Sequence, residues 1–392
     1  MKKTSIIKVF RDIDKPLFFV SMALFVFGLL NIVTASSRAA SVNFDESIYY
    51  YFNKQLLFVS GGLIVFGTII LKTETRYYKF FIYPIFAILV AMNVWALSFP
   101  EVGGSRNWIN LGFMKVQPSE LSKPVIILFL AILFEKYYTK LRTVNIKHYD
   151  IIGRILLAAA IIPIIVVRQK DLGTLLIIMF IIGVMFITSP ILKIDKLKTF
   201  GVVASFIILG LLVIYLMQGS ILNDARKSRF TSFLDPCGNY ENGGYQVCNG
   251  YIAINNGGLL GLGIGKSKQK YSYIPEPHTD SAFAIIAEEY GVLKTVFIFI
   301  GYIIILQRIL SISTNASTLR GRYICLGIAC YIFAHIFINL GGLFGVIPLT
   351  GVPLPFLSYG GSFALSLVIS LSLVQRVNYE TKNQKIKIKK VK

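Results

Sequence analysis

The residues best placed for acid–base chemistry close a long polar segment, residues 218–280. Its last residues read PEPHTD, so that His278 and Asp280 stand just before the chain turns apolar again. A carboxylate held beside a substrate can take a proton from a hydroxyl group that must act as a nucleophile. Aspartate is also a common helix N-cap. The spacing therefore leaves Asp280 open between a catalytic base and a capping residue.

A second set of charged residues falls within apolar sequence. Glu120 and Lys123, in QPSELSKP, share one face of a predicted helix and can pair. Asp171 opens another apolar run in RQKDLGT. Because an ionised side chain at the centre of a bilayer costs ~2.5–3.5 kcal/mol, each of the three requires a reason. One hypothesis is a buried acid–base network of all three. The alternative is that Asp171 caps a helix.

Two polar stretches offer side chains that could contact a substrate. In GGSRNWINLG, the ring of Trp108 could stack on a sugar and Arg106 could bind a phosphate, although a lone Trp there is usually part of an aromatic belt. The string GKSKQK contributes basic residues to the long segment, as does DARKSRF; these could neutralise phosphate or be merely solvated. They are Lys266, Lys268 and Lys270, and Arg226, Lys227 and Arg229.

Cysteines and buried acids complete the candidates. Cys237 and Cys248 bracket a short stretch of the long segment, and outside the membrane this spacing predicts a disulfide. A metal site there is not predicted, because the segment adds only His278. Glu288 and Glu289 follow within the next apolar run. They lie either deep in one continuous helix or near the surface of a helix broken at the following glycine.

The composition shows what must position these residues. The chain has 392 residues, of which 55% are hydrophobic and 15% charged. Its runs of ~20 apolar residues predict an all-α integral membrane protein with about ten transmembrane helices. The predicted spans are Leu17–Ala35, Gln55–Leu71, Phe80–Leu97, Pro118–Phe134, Ile151–Val167, Leu172–Thr188, Phe200–Met217, Ser281–Leu306, Tyr323–Phe344 and Leu354–Val374.

Lys and Arg in the connecting segments set the orientation. They are frequent in 1–16, in alternate loops and in the tail, and rare in the other short loops. This bias predicts a cytoplasmic segment 1–16, a membrane domain 17–377 with a structured extracellular loop 218–280 before helix 8, and a basic cytoplasmic tail 378–392. Most of the net charge of +21 is then topological and no nucleic-acid partner is needed to explain it.

Four strings together resemble the SEDS family (shape, elongation, division and sporulation), which includes RodA, FtsW and SpoVE. They are GSRNWINLGFMKVQPSELSKP, QKDLGTLL, GYQVCNGYIAINNGGLLGLGIGKSKQKYSYIPEPHTDSAFAIIAEEYGVL and TGVPLPFLSYGGS. With the ten-helix topology the resemblance covers essentially the whole chain, and it leans towards FtsW-like members. Phe363 departs from the pattern, because a second small residue is usual there.

The resemblance implies a peptidoglycan glycosyltransferase of the bacterial cytoplasmic membrane with its active site on the outer face. Such an enzyme polymerises lipid II by an inverting β-1,4 transfer that releases undecaprenyl diphosphate. The family's proposed catalytic acid falls on Asp280 and its activity-linked Trp on Trp108. The family's buried charges fall on Glu120, Lys123 and Asp171, and its S-Y-G-G string starts at Ser358. On this hypothesis Arg106, Lys266, Lys268, His278 and Ser358 are further substrate-binding candidates.

Partners and cofactors also follow from the resemblance. The partners are lipid II, a class B penicillin-binding protein that cross-links the strands, and other membrane proteins of the divisome or elongasome. Besides Arg and Lys, a divalent cation such as Mg or Mn is a candidate for neutralising the diphosphate; no cofactor is required with certainty. Two alternatives stay open: a lipid II flippase, since intramembrane charges also suit a transporter, and a non-catalytic scaffold of the division machinery.

Overall fold

The computed structural model describes residues 11–44, 47–112, 114–143, 146–201, 233–242, 244–271 and 273–391. Its helices are α1 (Lys15–Phe44), α2 (Tyr50–Gly62), α3 (Thr68–Lys72), α4 (Tyr78–Ala96), α5 (Pro118–Lys136), α6 (Tyr138–Leu141), α7 (Ile146–Arg168), α8 (Leu172–Thr188), α9 (Tyr245–Gly257), α10 (Ala282–Tyr290), α11 (Val292–Asn315), α12 (Leu319–Leu343) and α13 (Gly361–Val391). A π-helical turn, Leu63–Gly67, joins α2 to α3, and residues 193–201 are also helical. Two short strands, β1 (Ile109–Asn110) and β2 (Lys115–Val116), pair antiparallel.

The helices have the length and composition of a multi-pass membrane protein. Within the described residues, six are long and apolar enough to cross a bilayer, namely those of α1, α4, α7, α11, α12 and α13, and α8 is a shorter apolar helix. The predicted span Leu172–Thr188 is found with those bounds. The predicted span Phe200–Met217 and the basic cluster of DARKSRF lie almost wholly outside the described residues. The count of ten spans stays a prediction.

Two predicted spans are wrong in their bounds. Ser281–Leu306 is two helices, α10 and α11, separated at Gly291, whose φ of 81° breaks the helix. A Cβ on Gly291 would lie 2.4 Å from the backbone nitrogen of Gly261, so another segment passes against the break. Leu354–Val374 begins instead at Gly361, and the prolines before it lie in an irregular loop, 344–360.

The helices α12 and α13 lie at the centre of the bundle, together with α5, most of whose residues are buried. In each of α12 and α13, 78% of the apolar stretch that could span a membrane is buried inside the protein. The corresponding share in α1, α4, α7 and α11 is 28–39%. The outer helices expose large apolar side chains such as Phe80, Leu157 and Phe297. A helix that is apolar on its outer face as well as its inner face suits a lipid environment. Because α12 and α13 are central, the loop that joins them begins and ends in the core of the protein.

Polar contacts gather at the two ends of the bundle. At one end Arg308 pairs with Asp14 (Nη2–Oδ2, 2.5 Å) and Asn378 donates to the carbonyl of Asp12. The first described residues and the last turns of α13 therefore meet there, and the predicted tail from residue 378 begins within a helix. The opposite end carries the loops 97–117, 168–171 and 344–360 and the polar segment that ends at Asp280. Which of the two ends faces the cytoplasm stays a prediction from the Lys and Arg bias.

Candidate functional site

The candidate site is built where the α12–α13 loop meets the polar segment. Asn339, near the end of α12, donates from Nδ2 to the carbonyl oxygen of Asp280 (2.7 Å) and to that of Val352 (2.8 Å). Tyr359 donates its backbone N–H to the carbonyl of His278 (2.8 Å). One buried helix thus holds both segments together at the same end of the bundle.

Asp280 is half-buried on this shared surface and is not the capping residue of α10, because Ser281 occupies the N-cap position. Gln246 of α9 donates from Nε2 to both carboxylate oxygens at 3.1 Å, and Thr279 Oγ1 lies 3.3 Å from Oδ1. Burial raises the pKa of Asp280 to about 6, against these hydrogen bonds, which lower it. A carboxyl with this pKa can lose and regain a proton near neutral pH.

Asp171 holds the loop 97–117, which carries Trp108. It caps α8, accepting from the backbone of Thr174 (3.0 Å), and its other oxygen accepts from Asn107 (2.6 Å) and Gln117 (3.0 Å). Trp108 follows Asn107 directly and is half-buried. The capping alternative is therefore right for Asp171, which in addition fixes the loop next to it.

The start of α8 also touches the α12–α13 loop. A Cβ on Gly173 would lie 2.5 Å from the Val352 side chain and 3.0 Å from the carbonyl of Thr350. The next residue of that loop, Gly351, faces the site, since a Cβ there would lie 3.9 Å from Asp280 Oδ2. The Asp171 end of α8 and Asp280 thus flank the same few residues, 350–352.

Glu120 and Lys123 form the predicted pair inside the core. Lys123 Nζ lies 2.6 Å from Glu120 Oε1, and their side chains are 0% and 3% exposed. The third member is His335 of α12, whose Nε2 lies 3.0 Å from the same Nζ. Asp171 takes its hydrogen bonds elsewhere, so the network predicted for Glu120, Lys123 and Asp171 contains His335 instead. Sequence spacing gave no signal for His335, because it joins the pair across 212 residues.

Glu288 and Glu289 are buried at the far end of α10 although Gly291 breaks the helix there. Glu288 accepts from the hydroxyl of Ser267 and from backbone N–H groups of residues 268 and 269. Lys270 pairs with Glu289 (2.9 Å). The helix is therefore broken at Gly291, but the two acids are buried instead of lying at the surface, because the segment 258–270 folds over the break.

The other predicted substrate contacts have different surroundings. Arg106 is exposed and pairs with Glu101 (3.3 Å). Lys266 and Lys268 are exposed, whereas Lys270 of the same string is buried. This end of the bundle therefore presents free lysine side chains, but the basic string does not act as a single cluster.

Two predicted contacts are buried in the described structure. Ser358 is 1% exposed and its hydroxyl accepts from the backbone of Leu354 (2.9 Å), so it shapes the loop rather than facing a substrate. His278 is also 1% exposed, and its ring packs against that of Tyr51 with the two ring centroids 4.2 Å apart. Burial lowers the pKa of His278 to about 4, so the ring is neutral at pH 7.

The predicted bridge between Cys237 and Cys248 is present, and it joins the turn at 235–239 to the first turn of α9. Because α9 carries Gln246, the bridge fixes the element that holds the carboxylate of Asp280. Among the described residues no three His, Cys, Asp or Glu side chains group as metal ligands would.

Comparison with known proteins adds the relatives of this architecture. A family model described as a cell cycle protein, FtsW/RodA/SpoVE, matches residues 15–383. The chain is 32% identical over 390 residues to the probable peptidoglycan glycosyltransferase FtsW of Bacillus subtilis (strain 168), covering 98% of this chain and 94% of that protein. Stage V sporulation protein E of the same organism is 32% identical over 373 residues, covering 93% and 96%.

Two solved structures share the fold. One belongs to a study of the structural coordination of polymerization and crosslinking by a peptidoglycan synthase complex. That chain aligns with a TM-score of 0.72 at 24% identity and covers 93% of this chain and 97% of its own length. The other is the rod shape determining protein RodA of Thermus thermophilus, with a TM-score of 0.64, 22% identity and coverage of 93% and 96%.

Proposed function

Because the chain belongs to the FtsW/RodA/SpoVE family, we propose that it is a peptidoglycan glycosyltransferase that polymerises lipid II into glycan strands. One observation carries the assignment to a site: a half-buried carboxylate, Asp280, with a pKa of about 6, at the point where the α12–α13 loop meets the polar segment. A carboxylate of this kind is suited to act as a general base at neutral pH.

The reaction follows from that placement. Asp280 takes the proton of the 4-hydroxyl of an acceptor N-acetylglucosamine. The oxygen then attacks C1 of the donor N-acetylmuramic acid from the face opposite the leaving group, a new β-1,4 bond forms, and the bond from C1 to undecaprenyl diphosphate breaks. A base is needed because a neutral sugar hydroxyl is a weak nucleophile, and a positioned carboxylate contributes typically ~10²–10⁴-fold.

The leaving diphosphate needs positive charge near it. Lys266 and Lys268 are exposed at 258–270, and Arg106 is exposed beside the Trp108 loop. Flexible lysine side chains can neutralise a phosphate as point charges. A divalent cation such as Mg or Mn, bound by the diphosphate itself, would supply the same charge. We assign Trp108 to packing against a sugar ring of one substrate.

The site faces the outside of the cytoplasmic membrane. Support comes from its position, at the end of the bundle opposite Asp14 and the last turns of α13, because the basic termini are expected in the cytoplasm. An outer site also places the Cys237–Cys248 bridge in an oxidising compartment. A class B penicillin-binding protein would cross-link the product, in keeping with the synthase complex that contains the similar chain.

Asp280→Asn tests the assignment. With purified protein and lipid II, the variant should lose polymerisation by at least ~10²-fold, because an amide cannot accept the proton. Asp235→Asn is the matched control, since Asp235 is an exposed aspartate of the same polar segment, and it should polymerise like the wild type. Polymerisation by folded Asp280→Asn would refute the base assignment.

The same variant separates the two alternatives. A flippase would move lipid II across vesicles whether or not position 280 is a carboxylate, and a scaffold would support division without polymerising. Glu120 and Lys123, which prompted the transporter hypothesis, are closed off in the core.

A further inference from the structure

His335 lies in the middle of α12, fully buried, with a polar atom at each ring nitrogen. Nε2 is 3.0 Å from Lys123 Nζ, and Nδ1 is 3.1 Å from the carbonyl oxygen of Pro353. The ring stacks on Phe363, with centroids 4.5 Å apart, and Tyr331 packs edge-on at 4.9 Å. Packing therefore fixes the plane in which the two nitrogens point, and the ring spans the gap from the core ion pair to the α12–α13 loop.

The partners fix where the ring carries its hydrogen. A backbone carbonyl can only accept, so Nδ1 must donate to Pro353. Lys123 Nζ donates in either protonation state: as an ammonium it has only donors, and as an amine its lone pair would be taken by a protonated Glu120, 2.6 Å away. Nε2 of His335 must therefore accept. The arrangement selects one neutral tautomer, with hydrogen on Nδ1.

We propose that His335 is a positioning residue for Asp280, acting through the backbone of the α12–α13 loop. The proposal rests on Asp280 being the base. His335 fixes Pro353, and the preceding residue, Val352, is joined to the carbonyl of Asp280 through Asn339, one turn further along α12. The core pair thus sets the position of the loop, and the loop and Asn339 set the position of the acid.

Loss of this link moves the base without removing it. The segment 350–360 is irregular, so its position depends on such side-chain contacts rather than on a helix or sheet ladder. A misplacement of ~1 Å at a reacting group costs on the order of 10²-fold in rate. Substrate binding through groups elsewhere in the site would be affected far less.

His335→Leu and His335→Gln form the test pair. The glutamine amide can accept from Lys123 with its oxygen and donate to Pro353 with its nitrogen, whereas leucine can do neither. For purified protein with lipid II, we expect His335→Leu to lower kcat by on the order of 10–100-fold with KM nearly unchanged, and His335→Gln to restore most of kcat. Cys330→Ala, another change at a buried residue of α12, is the control for packing and should keep kcat.

The proposal would be overturned by wild-type kcat in folded His335→Leu, or by a loss in His335→Gln as large as in His335→Leu. A fall in thermal stability that accounts for the whole loss of activity would assign His335 to packing.

A second measurement does not depend on polymerisation. In 15N-histidine-labelled full-length protein in lipid nanodiscs, the resonances missing from His335→Gln identify His335. We expect a protonated Nδ1 and an unprotonated Nε2 at pH 7. A hydrogen on Nε2 would contradict the proposal even if the enzyme were active. If the wild type failed to polymerise lipid II while this tautomer was found, the proposed function would fail and the link from Lys123 to the loop would stand.

Discussion

Asp280 and Glu289 stand at opposite ends of the same short helix, α10, and their surroundings differ in kind. Glu289 is 1% exposed and faces an ammonium group, Lys270 Nζ, at 2.9 Å. Asp280 is half-buried, and the donors to its carboxylate are the neutral side chains of Gln246 and Thr279. A full countercharge stabilises a buried carboxylate electrostatically, whereas burial with only neutral donors raises the pKa of Asp280 to about 6.

The difference separates a structural acid from a candidate reactive one. The segment 258–270 folds over Glu288 and Glu289 and forms backbone hydrogen bonds with them. For example, the backbone N–H of Leu262 donates to the carbonyl of Glu288 (2.9 Å). At Asp280 the surrounding segments leave one face of the carboxylate next to Gly351, which has no side chain to fill it. The first arrangement covers the acids at the end of α10, whereas the second leaves the carboxylate of Asp280 partly exposed.

The largest effect on stability is expected from breaking the Glu289 end. Lys270→Met leaves a buried carboxylate without its countercharge, so we expect a loss of ~3–5 kcal/mol in the free energy of unfolding, read as a lower Tm. Lys268→Met is the matched control, since Lys268 is exposed in the same string, and its Tm should not move. If Lys270→Met kept the wild-type Tm, the pair would not be the anchor that the geometry indicates.

The pH dependence of polymerisation tests the other end. Asp280 must be ionised to act as a base, so with a pKa of about 6 the rate should be level above that pH and fall about tenfold for each pH unit well below it. Replacing Gln246 with leucine removes a hydrogen bond that favours the ionised form and should move the fall to higher pH. An acid limb near pH 4, the ordinary value, would mean that Asp280 is not held as described.

The smallest effect concerns the stability of Asp280→Asn. Because the folded pKa is raised above the ordinary value of 3.8, the folded state binds this proton more tightly than the unfolded state. Lowering the pH through about 6 therefore stabilises the wild type through this group, and the gain is lost as pH rises. Asp280→Asn lacks this dependence and should have a Tm at pH 8 that equals or exceeds that of the wild type. A clear fall in its Tm would make Asp280 structural, like Glu289.

Local spacing predicted the parts of the fold and the site that local physics decides. The apolar run Leu172–Thr188 is one helix, and three-residue spacing paired Glu120 with Lys123. The break at Gly291 was only an alternative, because the residues on both sides are apolar and what breaks the helix is a backbone contact with Gly261. Local sequence around Gly291 does not show that contact, since Gly261 belongs to the polar segment that precedes α10.

The missed residues share that cause. His335 was not singled out from the sequence, and its contact with Lys123 comes from another helix. Lys270 looked like one of three equivalent lysines until the fold placed it against Glu289. Ser358 was expected to face a substrate, but the α12–α13 loop turns its hydroxyl inwards to the backbone of Leu354.

Asn339 donates its hydrogen bonds to main-chain oxygens, those of Asp280 and Val352, and not to the side chains of these residues. Such hydrogen bonds depend on where the backbone oxygens lie and not directly on which side chains the bonded residues carry. They are therefore sensitive to the number of residues in the α12–α13 loop. Adding or deleting a single residue along this loop would shift the carbonyls that follow it out of reach of Asn339, whatever side chains they carry. The spacing of this loop, together with the residues buried in it, therefore determines where Asp280 is held.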